Sequence, residues 1–289
     1  RGRGASNSAI SVLEGLNSYK ENKVIYRKGV DLYYGETNFF TRVNINYKDR
    51  TGFKQAKAAA KSSDVVVMVL GEEGYQTGEG RSRTNLLLPG LQQELLEEIY
   101  NVNRNVVLVL VNGRPLNISW ADENIPAIVE AWQLGSQAGN AIAQVLYGDY
   151  NPSGKLTMSF PRNVGQVPIY YNYKNTGRPS TSYKQVTTSA YSDVENSPLY
   201  PFGYGLSYTN FNYSDLTLSS EKMNNKQSII ASITLTNSGK YTGKEVVQLY
   251  IRDLHGSLSR PLKELKGFEM VELEPGESKI VDFTIDNSL

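Results

Sequence analysis

Residues 64–89, DVVVMVLGEEGYQTGEGRSRTNLLLP, decide how this chain is read. Val65 to Leu70 is an unbroken aliphatic run that ends at Gly71. A strand covered by helices on both faces reads this way, because neither face alternates with polar residues. The chain leaves the run through a polar loop holding Glu72, Glu73, Glu79, Arg81 and Arg83, and becomes apolar again at residues 86–89, just before a helical pattern. Ligands of open α/β sheets bind in the crevice beyond the carboxyl ends of the strands. A loop of carboxylates and guanidiniums at that position is the first candidate for chemistry.

Working outward, residues 106–111 (VVLVLV) and 127–132 (AIVEAW) repeat the buried-strand pattern, and residues 23–29 (KVIYRKG) and 155–160 read as further short strands. Between them lie helical patterns at residues 8–16, 53–63, 91–102 and 138–146; the third places Leu91, Leu95, Leu96, Ile99 and Val102 on one face. The aromatic stretch at residues 30–50 reads as an irregular surface excursion. Strands alternating with helices at this spacing predict a doubly wound, mainly parallel sheet, an α/β sandwich over residues 1–165. Residues 168–198 lack periodicity and read as a long loop inside a linker at 166–207; loops of that length are usually functional or mobile. From residue 208 to 289 the pattern changes to short alternating strands with turns at Asn237-Ser238-Gly239 and Glu274-Pro275-Gly276. This predicts a small β-sandwich of the fibronectin type III kind. The last residues stop inside or just after a strand pattern, and the first lack both an initiator Met and a signal peptide's apolar core. The chain therefore reads as a fragment of a longer protein.

Composition narrows the chemistry. A net charge of +1 with no long basic block gives no reason to expect a nucleic-acid partner. No apolar run reaches the ~18 residues of a membrane span. The absence of cysteine excludes disulfides and thiolate metal sites, and the single histidine, His255, removes most Ser-His and Cys-His arrangements. A lone histidine in a loop is not a metal site, and neither a metal nor a cofactor is expected. Carboxylates are left for acid–base work. The twenty tyrosines suit hydroxyl-rich ligands, and they suit strands equally well. Glycines at 71, 74, 78 and 80 invite a phosphate-cradle reading, but no GxGxxG opens a helix, no Gly-Lys-Ser/Thr occurs, and three glutamates would repel phosphate. From spacing alone the loop reads equally as a structural ion-pair cluster or as the seat of a proton-transferring carboxylate. The Asn112-Gly113-Arg114-Pro115 turn follows a strand at the same sheet end and reads first as a turn, second as a source of binding groups.

Several motifs then resemble glycoside hydrolase family 3, the bacterial β-glucosidases and β-xylosidases above all. They are GEEGYQTGEGRSRTNLLLPGLQQELLEEI, VVLVLVNGRPLNISW, the stretch from IPAIVEAW through NYKNTGRP, and SPLYPFGYGLSYTNF. RPLKELKGFEMVELEPGES resembles the family's fibronectin type III-like domain, and RGRGASNSAISVLEGL the start of its α/β domain. The resemblance implies a retaining, exo-acting hydrolase of terminal β-linked glucose or xylose. In the family an N-terminal (β/α)8-type barrel, absent from this chain, carries the aspartate nucleophile, and the α/β domain lends the acid/base glutamate on a loop. Retention requires the two carboxyl groups about 5–5.5 Å apart. By motif position Glu79 is the acid/base, with Glu72 and Glu73 as alternatives. Glu72, Glu73, Arg81 and Arg83 are the expected substrate-binding residues, the two arginines also serving as loop organisers. The expected partners are an oligosaccharide and the barrel, with a homo-oligomer allowed, and the parent is expected to be periplasmic or secreted. The competing reading is a non-catalytic carbohydrate-binding or assembly module built on the tyrosine-rich loop at 168–198 and the sandwich.

Overall fold

The structure, a computed structural model, describes residues 8–180 and 185–288. The expected domain start at residues 1–7, and residues 181–184 of the long loop, lie outside the described residues. Two compact units are present, one formed by residues 1–146 with 160–167 and the other by 147–159 with 168–289.

The first unit is built on a parallel sheet in the order β3-β4-β5. The strands are β3 (Val66–Gly71), β4 (Val106–Val111) and β5 (Ala127–Glu130). Val66 is paired with Val106, Gly71 with Val111, and Leu110 with Glu130, so all three strands end at the same edge. Helices cover both faces, which is why β3 and β4 carry no polar side chain. On one face Val67, Val109, Val111 and Val129 meet Ile142 and Leu146 of α5 (Ala138–Tyr147) and Val12 of α1 (Val12–Asn17). Ser11 caps α1, its hydroxyl accepting from the Glu14 N–H while the Glu14 carboxylate accepts from the Ser11 N–H. Glycines allow the two helices to meet closely: a Cβ on Gly15 would stand 2.1 Å from the Gly139 carbonyl oxygen. On the other face Met68, Leu70, Leu108 and Leu110 are buried, as are Leu95, Leu96 and Ile99 of α3 (Gln92–Val102), which packs against β3. α3 in turn packs on α2 (Phe53–Lys61), whose Phe53, Ala56 and Ala60 form its buried stripe.

The expected strand at residues 23–29 is not formed. Its residues from Ile25 to Lys28 are exposed and make no ladder with β3, and the chain turns at Gly29 with φ +72°. At the end of β3 an edge rung is occupied by a side chain: the buried Gln92 amide accepts the Gly71 N–H at 2.8 Å and donates to the Gly71 carbonyl at 2.8 Å. The excursion contains only a minimal hairpin, β1 (Tyr33–Tyr34) with β2 (Asn44–Ile45). A short helix not expected from the sequence, α4 (Ser119–Asn124), precedes β5.

The second unit is an antiparallel sandwich, as expected. One sheet has the order β10-β7-β6 and the other pairs β8 with β9. The strands are β6 (Phe211–Leu218), β7 (Ile229–Asn237), β8 (Gly243–Ile251), β9 (Glu264–Leu273) and β10 (Ser278–Ile285). Leu235, Val247, Val271, Leu273 and Val281 form the core between them. Asn237, fully buried, secures the expected turn, accepting from Thr209 and donating to the Tyr241 and Leu273 carbonyls. Residues 155–159 form no strand; their backbone exchanges hydrogen bonds at Leu156 with Gly203 and Tyr204 and stops there. The long loop lies in this unit, where the Tyr171 ring stacks on Phe202 at 4.2 Å.

Candidate active site

Glu72 is the first residue beyond β3, and its N–H continues the ladder to the Val111 carbonyl at 2.9 Å. This turns its side chain into the base of the loop, where it is fully buried between two guanidiniums. Arg83 meets Glu72 Oε1 at 2.6 Å and Arg114 Nε meets it at 3.1 Å. The Gly113 N–H, at 3.3 Å, donates to Glu72 Oε2. A buried carboxylate requires this degree of compensation. Arg83 also donates to the Leu87 carbonyl, tying the returning end of the loop to the same point.

Arg114 has a second task. Its Nη2 donates to the carbonyls of Gln76 and Arg81 at 2.6 and 2.8 Å. One guanidinium thus holds both sides of the loop; Thr77 is half-buried beside Gly113, and the exposed residues 78–80 form the short tip between the two clamped points. Glu79 lies in the tip between Gly78 and Gly80, whose φ values of +113° and +68° favour glycine. Glu79 is exposed, and among the described residues no group pairs with its carboxyl. Glu73 is turned back on its own loop, where its carboxylate accepts from the Tyr75 N–H and from Thr37. Arg81 donates to the Phe39 carbonyl and lies over the Phe39 ring, 5.7 Å from its centre. Of the five residues singled out by sequence, Glu72 and Arg83 are brought together, Glu73 and Arg81 point to the excursion, and Glu79 stands apart.

The neighbouring strand end holds a carboxyl that the sequence reading missed. Glu130 closes β5; its Oε1 accepts the Trp132 N–H at 2.8 Å, and its Oε2 lies 3.4 Å from Asn112 Nδ2. Burial pushes its pKa up to about 7, against the lowering effect of the Trp132 and Asn112 hydrogen bonds. The signal available was a lone carboxylate ending an apolar strand. What could not be read is that Trp132 turns there with φ +48°. Arg114 was likewise visible only as part of a turn. A cleft of about 560 Å³ between α2 and α3, lined by Arg50, Lys54, Lys57 and Glu94 among others, contains none of the loop's residues. His255 is exposed in a sandwich loop, and the described residues contain no cluster of three or more metal-ligating side chains. No described helix is long and apolar enough to cross a membrane.

Residues 1–208 match the family model of the glycosyl hydrolase family 3 C-terminal domain. The chain belongs to glycoside hydrolase family 3. Residues 245–288 of the family 3 chain match the fibronectin type III-like domain. The periplasmic β-glucosidase of Salmonella typhimurium is 46% identical over 98% of this chain and 38% of its own length. The β-xylosidase of Formosa agariphila is 44% identical over 96% of this chain and 36% of its own. Among solved structures, the β-glucosidase from Listeria innocua in complex with glucose superposes with a TM-score of 0.85 at 37% identity, over 97% of this chain and 37% of that one. The chain therefore spans 36–38% of the length of these relatives.

Proposed function

We propose that this chain is the C-terminal portion of a retaining, exo-acting β-glycosidase that removes terminal β-linked glucose, or else xylose, and that it supplies the acid/base residue, Glu79. The observation that carries the reading is the contrast within one loop. Glu72, Glu73, Arg81 and Arg83 are engaged by protein groups, whereas Glu79 stands exposed in the tip between the two points that Arg114 holds, with its carboxyl unpaired among the described residues. The names of the relatives support the substrate class. The nucleophile is assigned to the barrel of a longer parent, and the name of the Salmonella relative supports a periplasmic or secreted location.

In the first step Glu79, protonated, donates to the departing glycosidic oxygen as the nucleophile attacks the anomeric carbon. In the second it takes a proton from the water that releases the sugar. Glu72, Arg83 and Arg114 hold the loop rather than touch sugar. The test is Glu79→Ala in the full-length parent. Turnover of substrates with poor leaving groups should fall by roughly 10²–10⁴-fold, the usual range for a lost general acid, and far less with an activated phenolate leaving group. Equal rates for variant and wild type on the poor leaving groups would remove Glu79 from the role.

A further inference from the structure

We propose that Glu130 is a positioning residue for the acid/base loop: it holds the turn at Trp132 from which Gln133 reaches back to seat Thr77, two residues ahead of Glu79. The proposal rests on Glu79 as the residue that protonates the leaving oxygen, and Glu130 acts only through its neighbours.

The chain leaves β5 in an uncommon conformation. The Ala131 N–H completes the ladder to the Leu110 carbonyl at 2.9 Å, and Trp132 then takes φ +48°. A bulky residue enters this region only where its surroundings enforce it, and such outliers gather at functional sites. Two contacts enforce it here. Glu130 Oε1 accepts the Trp132 N–H at 2.8 Å, and the Trp132 ring packs against the buried Phe160 with 5.7 Å between centres. Gln133, the next residue, extends its amide to the end of β4. There a Cβ on Gly113 would stand 3.0 Å from Gln133 Nε2 and 2.1 Å from Thr77 Oγ1, so the two side chains meet over the one residue of that turn without a side chain of its own.

The second oxygen of Glu130 faces the same turn. Oε2 lies 3.4 Å from Asn112 Nδ2, which donates to the Arg114 carbonyl at 2.8 Å. One carboxyl therefore braces both supports of the loop, the Thr77 seat and the base of the Arg114 clamp. Folding alone would be served by an aliphatic residue here, since burying the carboxylate is unfavourable enough to raise its pKa to about 7. Thr77 is at most about 7 Å along the chain from Glu79. A shift of the seat moves the start of the tip with it, and a misplacement of about 1 Å can cost 10²-fold in rate.

The test uses the full-length parent and the ratio of kcat/KM on methyl β-glycosides, which need an acid, to that on dinitrophenyl β-glycosides, which do not. Measured within one preparation, this ratio is independent of the fraction of active enzyme, so a merely structural role leaves it unmoved. Glu130→Ala should lower it by roughly 10–100-fold. Glu130→Gln keeps an acceptor for the Trp132 N–H and should stay within about threefold of wild type. Gln133 is exposed, so Gln133→Ala decides the matter if Glu130→Ala does not fold; it should lower the ratio by about three- to tenfold. A wild-type ratio in Glu130→Ala, whatever its yield or Tm, would make Glu130 a folding residue and overturn the proposal, as would a wild-type ratio in Gln133→Ala. Glu79→Ala runs in parallel. A low ratio there beside wild-type ratios in the other two overturns the positioning role alone, whereas a wild-type ratio in Glu79→Ala overturns the acid/base reading and this proposal with it.

Discussion

Replacing Glu72 with glutamine removes one charge from the base of the loop and leaves the shape almost unchanged. Its carboxylate is fully buried, and the Arg83 and Arg114 side chains that hold it are 18% and 19% exposed. Attraction to each guanidinium is of the order of 4 kcal/mol at the effective dielectric of such sites, set against the cost of removing the charges from water. Breaking a buried pair from one side costs about 3–5 kcal/mol, because the remaining charge has no partner. Glutamine keeps one oxygen acceptor, so the lower figure, about 3 kcal/mol, is expected. Both tryptophans, Trp120 and Trp132, lie in the first unit. Urea unfolding followed by tryptophan emission therefore reports that unit alone. With an m-value of about 2 kcal/mol/M the midpoint should fall by roughly 1.5 M. The loss should persist in 1 M salt, since buried pairs are screened far less than exposed ones. Glu94→Gln, which breaks an exposed pair with Arg50, provides the comparison and should leave the midpoint at its wild-type value in high salt. A Glu72→Gln loss below about 1 kcal/mol, or one abolished by salt, would refute the account of the loop base.

Gln92→Leu strips the Gly71 N–H and carbonyl of their partner and should cost about 2 kcal/mol in the same assay, as expected for buried backbone groups left unpaired; a neutral result would mean that water replaces the amide. Glu130 gives a pH dependence of known sign. Burial raises its pKa from 4.5 to about 7, so the folded state holds the proton more tightly than the unfolded state. Its contribution is complete below pH 4.5 and is lost as the pH rises through 7, up to about 3 kcal/mol. Urea titrations between pH 4.5 and 8 should show wild type losing stability relative to Glu130→Gln, and the opposite slope would contradict the assignment.

The strands β3 and β4 were legible because a strand buried on both faces has nowhere to place a polar residue, and the change to alternation after residue 208 marked the sandwich as clearly. Residues 23–29 carry a strand-like composition and remain unpaired, because composition does not say whether a ladder partner is in reach. α4 is six residues long, too short for a helical period to register. In the loop, three glutamates were indistinguishable by residue type. Burial separates Glu72 from Glu79, and burial there depends on Arg114, which arrives from the next strand 42 residues away in sequence. Family likeness selected Glu79; spacing did not. The raised pKa of Glu130 was beyond reach of the sequence for the same reason, since it follows from what covers that strand end.

The central claim, that Glu79 is the acid/base half of a two-carboxylate site, is tested most directly by the products formed when azide is added to the Glu79→Ala variant of the full-length parent. Azide needs no general base, so it should intercept the glycosyl-enzyme intermediate, restore turnover and release the β-glycosyl azide, with the configuration of the substrate. An α-glycosyl azide would identify Glu79 as the nucleophile instead, and a failure of azide to restore turnover or to appear in the product would contradict the account.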